Sequence, residues 1–186
     1  MPATMWTVGH STRTWGEFMA LFHACGIQAV ADVRRFPGSR RYPWFASAAM
    51  ARTLPAAGLD YLWLPQLGGR RPVQPGSPNG AWRNASFQGY ADHLASAEFA
   101  QGLDPLLELA ARRRTALLCA EAVWWRCHRR LIADVLVQRG VVVQHILDAT
   151  HLQAHVLTEG AQVINGRLAY PPPQQDLFGA SEVGGG

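Results

Sequence analysis

The sequence contains no lysine: all 17 of its basic residues are arginine. Its basicity is therefore carried by planar, forked donors suited to phosphate and carboxylate. Without lysine there is no G-x-x-x-x-G-K-[ST] phosphate loop, and G-x-G-x-x-G is missing too, so neither common glycine-rich phosphate cradle is present. No apolar run approaches the ~20 residues of a membrane span, and the first six residues lack the charged-then-apolar pattern of a signal peptide. Cysteine is scarce, with three residues at no disulfide-scaffold spacing, which suits a reducing compartment. These absences lead us to expect a cytoplasmic protein that does not engage a membrane. The net charge of +4 permits an anionic partner without requiring one.

Two of the three cysteines fall in one stretch, residues 115–136. Its apolar run, residues 116–120, reads as a buried strand, and from Arg129 onward apolar residues recur at helical spacing (Leu131, Ile132, Val135, Leu136). Between strand and helix lie Cys119, Glu121, Arg126, Cys127 and His128, followed by Arg129. In open parallel α/β sheets, ligands sit where loops leave the carboxyl ends of strands. Cys127 falls at the mouth of the helix, where unpaired amides and the helix dipole favour negative charge, so a low-pKa nucleophile is expected there. The competing reading is a buried structural cysteine pair.

Elsewhere the chain alternates strand and helix signals. Residues 4–8, 27–33, 59–64 and 141–147 read as further strands. Thr14 with Glu17 forms a capping box, and the helix after it stops at Gly26. Residues 47–57 form a short helix, and residues 87–113 are expected to be helical in two pieces broken near Gly102 and Pro105. A Gly/Pro-rich loop spans residues 65–84, too long for a plain connector. Asn165-Gly166 marks a small hairpin. The expected fold is a single Rossmann-like α/β domain over residues 1–170, with a mostly parallel sheet flanked by helices. Residues 171–186 form a flexible tail stiffened by three prolines.

Three loops at the carboxyl ends of presumed parallel strands are expected to share one cleft. One brings His10 and Ser11, the second Asp32, Arg34, Arg40 and Arg41, and the third Cys119 to Arg129. Cys127, His128, Cys119, Glu121 and His10 are the candidate catalytic groups. Ser11, Asp32, Arg34, Arg40, Arg41, Gly69, Arg70 and Arg129 are the candidates for holding substrate or phosphate. Each arginine taken singly has a plainer reading, a solvated partner of a nearby carboxylate. Cys119, Cys127 and His128 are soft or borderline ligands, but C-x7-C-H matches none of the common zinc spacings, so neither a metal nor another cofactor is expected. Phe36, Tyr42, Trp44, Phe45, Trp124 and Trp125 are interleaved with the arginines, a combination that holds unstacked bases.

With these motifs in view, the chain resembles the bacterial family catalogued as domain of unknown function 488, over roughly residues 4–147. The resemblance rests on Thr7-Val8-Gly9-His10-Ser11, Asp32-Val33-Arg34-Arg35-Phe36-Pro37-Gly38-Ser39, Leu67-Gly68-Gly69-Arg70, and Leu118-Cys119-Ala120-Glu121 with Cys127-His128-Arg129. It implies a cytoplasmic Rossmann-like domain and no particular activity. Asp32-Val33-Arg34 after one strand and a cysteine after a later one are also similar to rhodanese-type sulfurtransferases, but their six-residue cysteine cradle is missing. In the tail, Gln174-Gln175-Asp176-Leu177-Phe178 resembles the pentapeptide by which bacterial polymerases and repair proteins dock on the sliding clamp, departing only at its second residue. Gln174, Asp176, Leu177 and Phe178 are the docking candidates, with folding of Leu177 and Phe178 onto the domain as the alternative. The expected function is a nucleotide- or nucleic-acid-directed enzyme with a Cys/His site, a hydrolase or transferase linked to DNA repair or replication through the clamp. A non-catalytic module for nucleotide or single-stranded nucleic acid and a rhodanese-like sulfur or thiol enzyme are the alternatives.

Overall fold

Strands and helices alternate along residues 3–174, the part of the chain that the computed structural model describes. In order they are β1 (Thr4–Gly9), α1 (Trp15–Cys25), β2 (Ala29–Asp32), α2 (Ser47–Ala56), β3 (Asp60–Trp63), α3 (Ala85–His93), α4 (Ala97–Arg112), β4 (Thr115–Cys119), α5 (Arg129–Gln138), β5 (Val142–Ile146), β6 (Leu152–Ala154), β7 (Gln162–Ile164) and β8 (Arg167–Ala169). The first six strands form one sheet in the order β3-β2-β4-β1-β5-β6, parallel except for β6. β7 and β8 form a separate hairpin turned by Asn165 and Gly166, both at positive φ as a tight turn of this type demands. The architecture is the expected mixed α/β, Rossmann-like fold.

The sheet is covered on both faces, which is why β4 and β2 are buried along their whole length. Met5, Ala29, Ala31, Leu117 and Val143 pack on α3, α4 and α5, while Trp6, Val8, Val30, Ala116 and Leu118 pack on α1 and α2. α1 begins at the capping box of Thr14 and Glu17 and ends at Gly26 in the left-handed conformation. The expected break near Gly102 and Pro105 lies earlier, at residues 94–96, where Ser96 caps α4 through the Phe99 amide. α4 runs through Pro105, and Gly102 serves a different purpose: a Cβ there would come within 2.8 Å of Leu67. The glycine lets the helix lie against the turn at Pro65–Leu67. β6 was not expected from the sequence. Among the described residues no helix is long and apolar enough to cross a membrane.

Behind the sheet's parallel core runs a buried polar chain. Thr7 and His145 are register neighbours on β1 and β5, with Oγ1 to Nδ1 at 2.6 Å. His145 Nε2 lies 2.9 Å from His155 Nδ1, whose Nε2 lies 2.7 Å from Asp134 Oδ1 on α5. Tyr170 OH donates to Asp134 Oδ2 at 2.7 Å, and the Thr158 amide donates to Oδ1 at 2.9 Å. With Asp134 as the carboxylate, one consistent set of protons satisfies every member from Thr7 to Tyr170. Trp124 stacks flat on His145 with ring centroids 4.1 Å apart.

His145 is pushed down to about 3, first by burial and then by His155 and Arg129. Unfolding returns the imidazole to its free value near 6.5. Between those values the unfolded chain takes up a proton that the folded chain refuses, so stability falls as pH drops below about 6.5. The expected slope is about 1.4 kcal/mol per pH unit for this group. His10 and His93, also lowered by burial, act in the same sense. Urea denaturation at a series of pH values between about 7 and 4 measures the slope. Stability independent of pH there would mean that His145 protonates within the fold.

Candidate functional site at the carboxyl edge of the sheet

β4 is flanked by β2 and β1, and the helices that follow them lie on opposite faces: α1 and α2 after β1 and β2, α5 after β4. At such a switch the loops part and leave a crevice at the strands' carboxyl ends. Gly9 and Cys119 pair at that edge, and a cleft of about 760 Å³ opens beyond them. Gly9 is required there, because a Cβ would sit 1.9 Å from the Glu121 carbonyl oxygen as the two loops cross.

The crevice brings together most of the residues singled out in the sequence. His10, Ser11, Arg34, Gly69, Arg70, Cys119, Glu121, Cys127 and His128 all line it. Asp32, Arg40, Arg41 and Arg129 stand outside the lining. Asp32 is fully buried and grips Arg34 through two bonds, Nε to Oδ1 at 2.8 Å and Nη2 to Oδ2 at 2.6 Å, while Tyr61 OH donates to Oδ2 at 2.7 Å. Arg40 and Arg41 are exposed on the following loop, with the Arg41 guanidinium over the Tyr42 ring. Arg129, 1% exposed, turns its guanidinium to the carbonyls of Glu121 and Ala122 and so fixes the path of the loop between the two cysteines. Gln174 is exposed, and Asp176, Leu177 and Phe178 lie outside the described residues.

At the floor of the cleft, Cys127 Sγ donates to Cys119 Sγ across 2.9 Å. His128 Nδ1 faces both sulfurs, 3.6 Å from Cys127 and 4.0 Å from Cys119. The geometry moves the thiolate away from where the helix mouth suggested it. Cys119 is held well below the ordinary thiol range by the Cys127 S–H, with His128 and Arg129 adding to the effect. Burial and the neighbouring Cys119 push Cys127 well above it. The proton shared by the pair therefore stays on Cys127. The Arg129 amide at the start of α5 does bear on the Cys127 sulfur and favours its thiolate, but burial and the neighbouring Cys119 outweigh it.

His10 has both ring nitrogens engaged. Its Nδ1 lies 2.9 Å from the Ser11 carbonyl, which can only accept, so Nε2 presents its lone pair to Arg34 Nη1 at 3.3 Å. Its ring stacks on Phe45 at 4.3 Å, and burial lowers its pKa. Gly69 has a role other than close approach to a ligand, since a Cβ would lie 3.0 Å from His128 Nδ1. The long loop thus rests directly on the cluster. Arg70, next along, has a positive φ of 59°, a conformation that bulky residues rarely adopt.

Around the mouth, beside the expected Arg126, stand groups that were not assigned to the cleft from the sequence: Tyr42, Asn84, Ser86 and Phe87. The interleaving of arginines with aromatics pointed at Tyr42. Nothing local placed the start of α3 at the same rim.

A family model matches residues 14–136 of the chain. The chain belongs to the family described as domain of unknown function DUF488. The DUF488 match takes in Arg34, Gly69, Arg70 and the whole Cys119–Cys127–His128 cluster, and it leaves His10 and Ser11 just outside its start. No curated protein and no solved structure matches the chain.

Proposed function

We propose that the cleft binds a nucleotide or nucleic acid through its phosphates and that a hydrolytic or transfer reaction takes place at the Cys119–Cys127–His128 cluster. The observation that carries this reading is the state of Arg70 and Arg126. Both are exposed on the rim, and their side chains make no hydrogen bond or ion pair among the described residues. Cationic forks left without a carboxylate suit an anion from outside. Beside them Phe36 is 67% exposed, with the Arg35 guanidinium 5.4 Å from its ring centre, and Tyr42 and Phe87 complete an aromatic border. Aromatic faces with free arginines hold unstacked bases and the strand backbone together.

The tail fits the same reading. Tyr170 is tied to the long loop, its amide to Asn79 Oδ1 at 2.9 Å and its carbonyl to the Ala81 amide at 3.0 Å. The chain beyond it therefore departs beside the loop whose continuation lines the cleft, and a clamp bound at residues 174–178 would deliver the cleft to DNA. Short ligands that order on binding bring modest affinity, on the order of micromolar.

Anisotropy of a labelled single-stranded oligonucleotide across a salt series tests the proposal. Arg70→Ala with Arg126→Ala is expected to weaken binding about tenfold or more and to lower the salt slope by about 1 to 2. Unchanged affinity and slope would overturn it. Tight binding with no product formed over long incubation would make the domain a binding module. A peptide covering residues 171–180 that ignores the sliding clamp would remove the clamp from the proposal and leave the cleft untouched.

A further inference from the structure

We propose that Cys119, Cys127 and His128 form a binding site for a soft divalent cation, zinc above all, with one coordination position open to the cleft. Their ligand atoms, the two Sγ and Nδ1, all lie within 4.8 Å of one another. A tetrahedral zinc with bonds of about 2.3 Å to sulfur and 2.0–2.1 Å to nitrogen sets sulfurs about 3.8 Å apart and each sulfur about 3.5 Å from nitrogen. The sulfur–nitrogen separations here, 3.6 and 4.0 Å, are already near that value. Only the sulfurs, at 2.9 Å, must open, by less than an ångström, which a small rotation of either side chain provides.

The histidine is prepared for the same task. Its Nε2 lies 2.9 Å from the carbonyl oxygen of Val33, which can only accept. Nε2 therefore carries a proton, and the nitrogen left for a cation is Nδ1, on the side of the sulfurs. A second-sphere carbonyl that fixes the tautomer in this way is the usual companion of a metal-bound histidine. Two thiolates would neutralise a divalent charge, and sulfur ligation favours zinc over the hard cations magnesium and calcium. Cys119 and Cys127 are buried and His128 half-buried, yet all three border the cleft. Three protein ligands facing an open cleft is the arrangement of a zinc that keeps a position for water or substrate, whereas a purely structural zinc closes its fourth position with protein.

The inference deepens the proposed function and rests on it for the chemistry alone. A water in the fourth position, its pKa lowered by the cation, would supply the hydroxide for hydrolysis. The oxygen would join the electrophilic atom of the substrate, and the bond to the leaving group would break. The leaving group would depart with that bond's electron pair and gain a proton from solvent. Cation binding itself needs no nucleotide.

The test uses the full chain, stripped with a chelator and kept reduced, and titrated with cobalt. One equivalent is expected to give the thiolate-to-cobalt charge-transfer absorption and the strong visible bands of a tetrahedral ion, and zinc is expected to abolish both. Cys119→Ser and His128→Gln should weaken the site, with circular dichroism confirming the fold. Wild-type alkylation provides a readout that does not depend on variants: zinc should slow labelling of Cys119 and Cys127 roughly tenfold or more while leaving Cys25, half-buried on α1, unaffected. No charge-transfer band at stoichiometric cobalt, together with equal labelling with and without zinc, would overturn the inference. Cation binding without oligonucleotide binding would uphold this site and remove the nucleic-acid reading, and the reverse result would do the opposite.

Discussion

Asp134→Ala is expected to lower the stability of the domain by about 3–5 kcal/mol, because three donors lose their acceptor at about 1 kcal/mol or more each. Three donors converge on this carboxylate: Tyr170 OH, His155 Nε2 and the Thr158 amide. Asp134 and the His155 side chain are fully buried, so no water can replace the lost acceptor without opening the structure. A domain of this kind is stable by only about 5–15 kcal/mol, so the loss is a large share of the whole. Asp134→Asn keeps one acceptor oxygen and should lose less, because Tyr170 OH can turn round and accept from the new amide. Urea denaturation gives both values. Because Asp134 fastens residues 158 and 170 to α5, amide exchange at Ala81 and Tyr170 should quicken before the rest of the sheet responds. A loss below about 1 kcal/mol in Asp134→Ala would mean that the donors find other partners and that the chain is not cooperative.

Arg34→Met is the second large effect, again about 3–5 kcal/mol. The substitution keeps much of the volume but leaves the buried carboxylate of Asp32 with only Tyr61 OH and the residue-34 amide as donors. The pair is a structural unit at the base of the cleft, since three of the five guanidinium donors point to Asp32 and His10. Replacing both partners, with Asp32→Leu added to Arg34→Met, removes the stranded charge and should recover most of the loss. A double variant as unstable as Arg34→Met would shift the explanation to packing against Met50, which the guanidinium also touches at 3.6 Å.

Much of this could be read from the sequence because it is written in local terms. The capping box of Thr14 and Glu17, the left-handed Gly26, the Asn165-Gly166 turn and the apolar run of β4 each depend on residues within a few positions. The convergence of His10, Arg34, Cys119 and Cys127 followed from one further step, that loops at the same edge of a parallel sheet are neighbours. Features decided across long separations stayed out of reach. Thr7 and His145 meet only because β1 and β5 pair, and no local pattern marks them. Arg129 read as a ligand-binding arginine because its sequence neighbours are polar, yet the fold buries it and gives it two main-chain carbonyls. The spacing C-x7-C-H argued against a metal because the familiar patterns place ligand pairs on one tight turn. Here the seven intervening residues, pinned by Arg129, lead the chain from the end of β4 back to the start of α5 and set the two sulfurs side by side.

The two borders of the main sheet differ in how they would meet another copy of the chain at high concentration. At one border the parallel core is closed by β6, a three-residue antiparallel strand too short to template much pairing. At the other, β3 leaves one side of its backbone unpaired within the sheet, the kind of surface on which strands of separate molecules add and aggregate. It has only four residues, it begins at Asp60, which is paired with Arg113 at 3.0 Å, and it is followed within two residues by Pro65. A strand that opens on a charge and runs into proline offers an incoming chain few consecutive amides. The border whose Tyr61 holds Asp32 thus presents little free backbone to a neighbour.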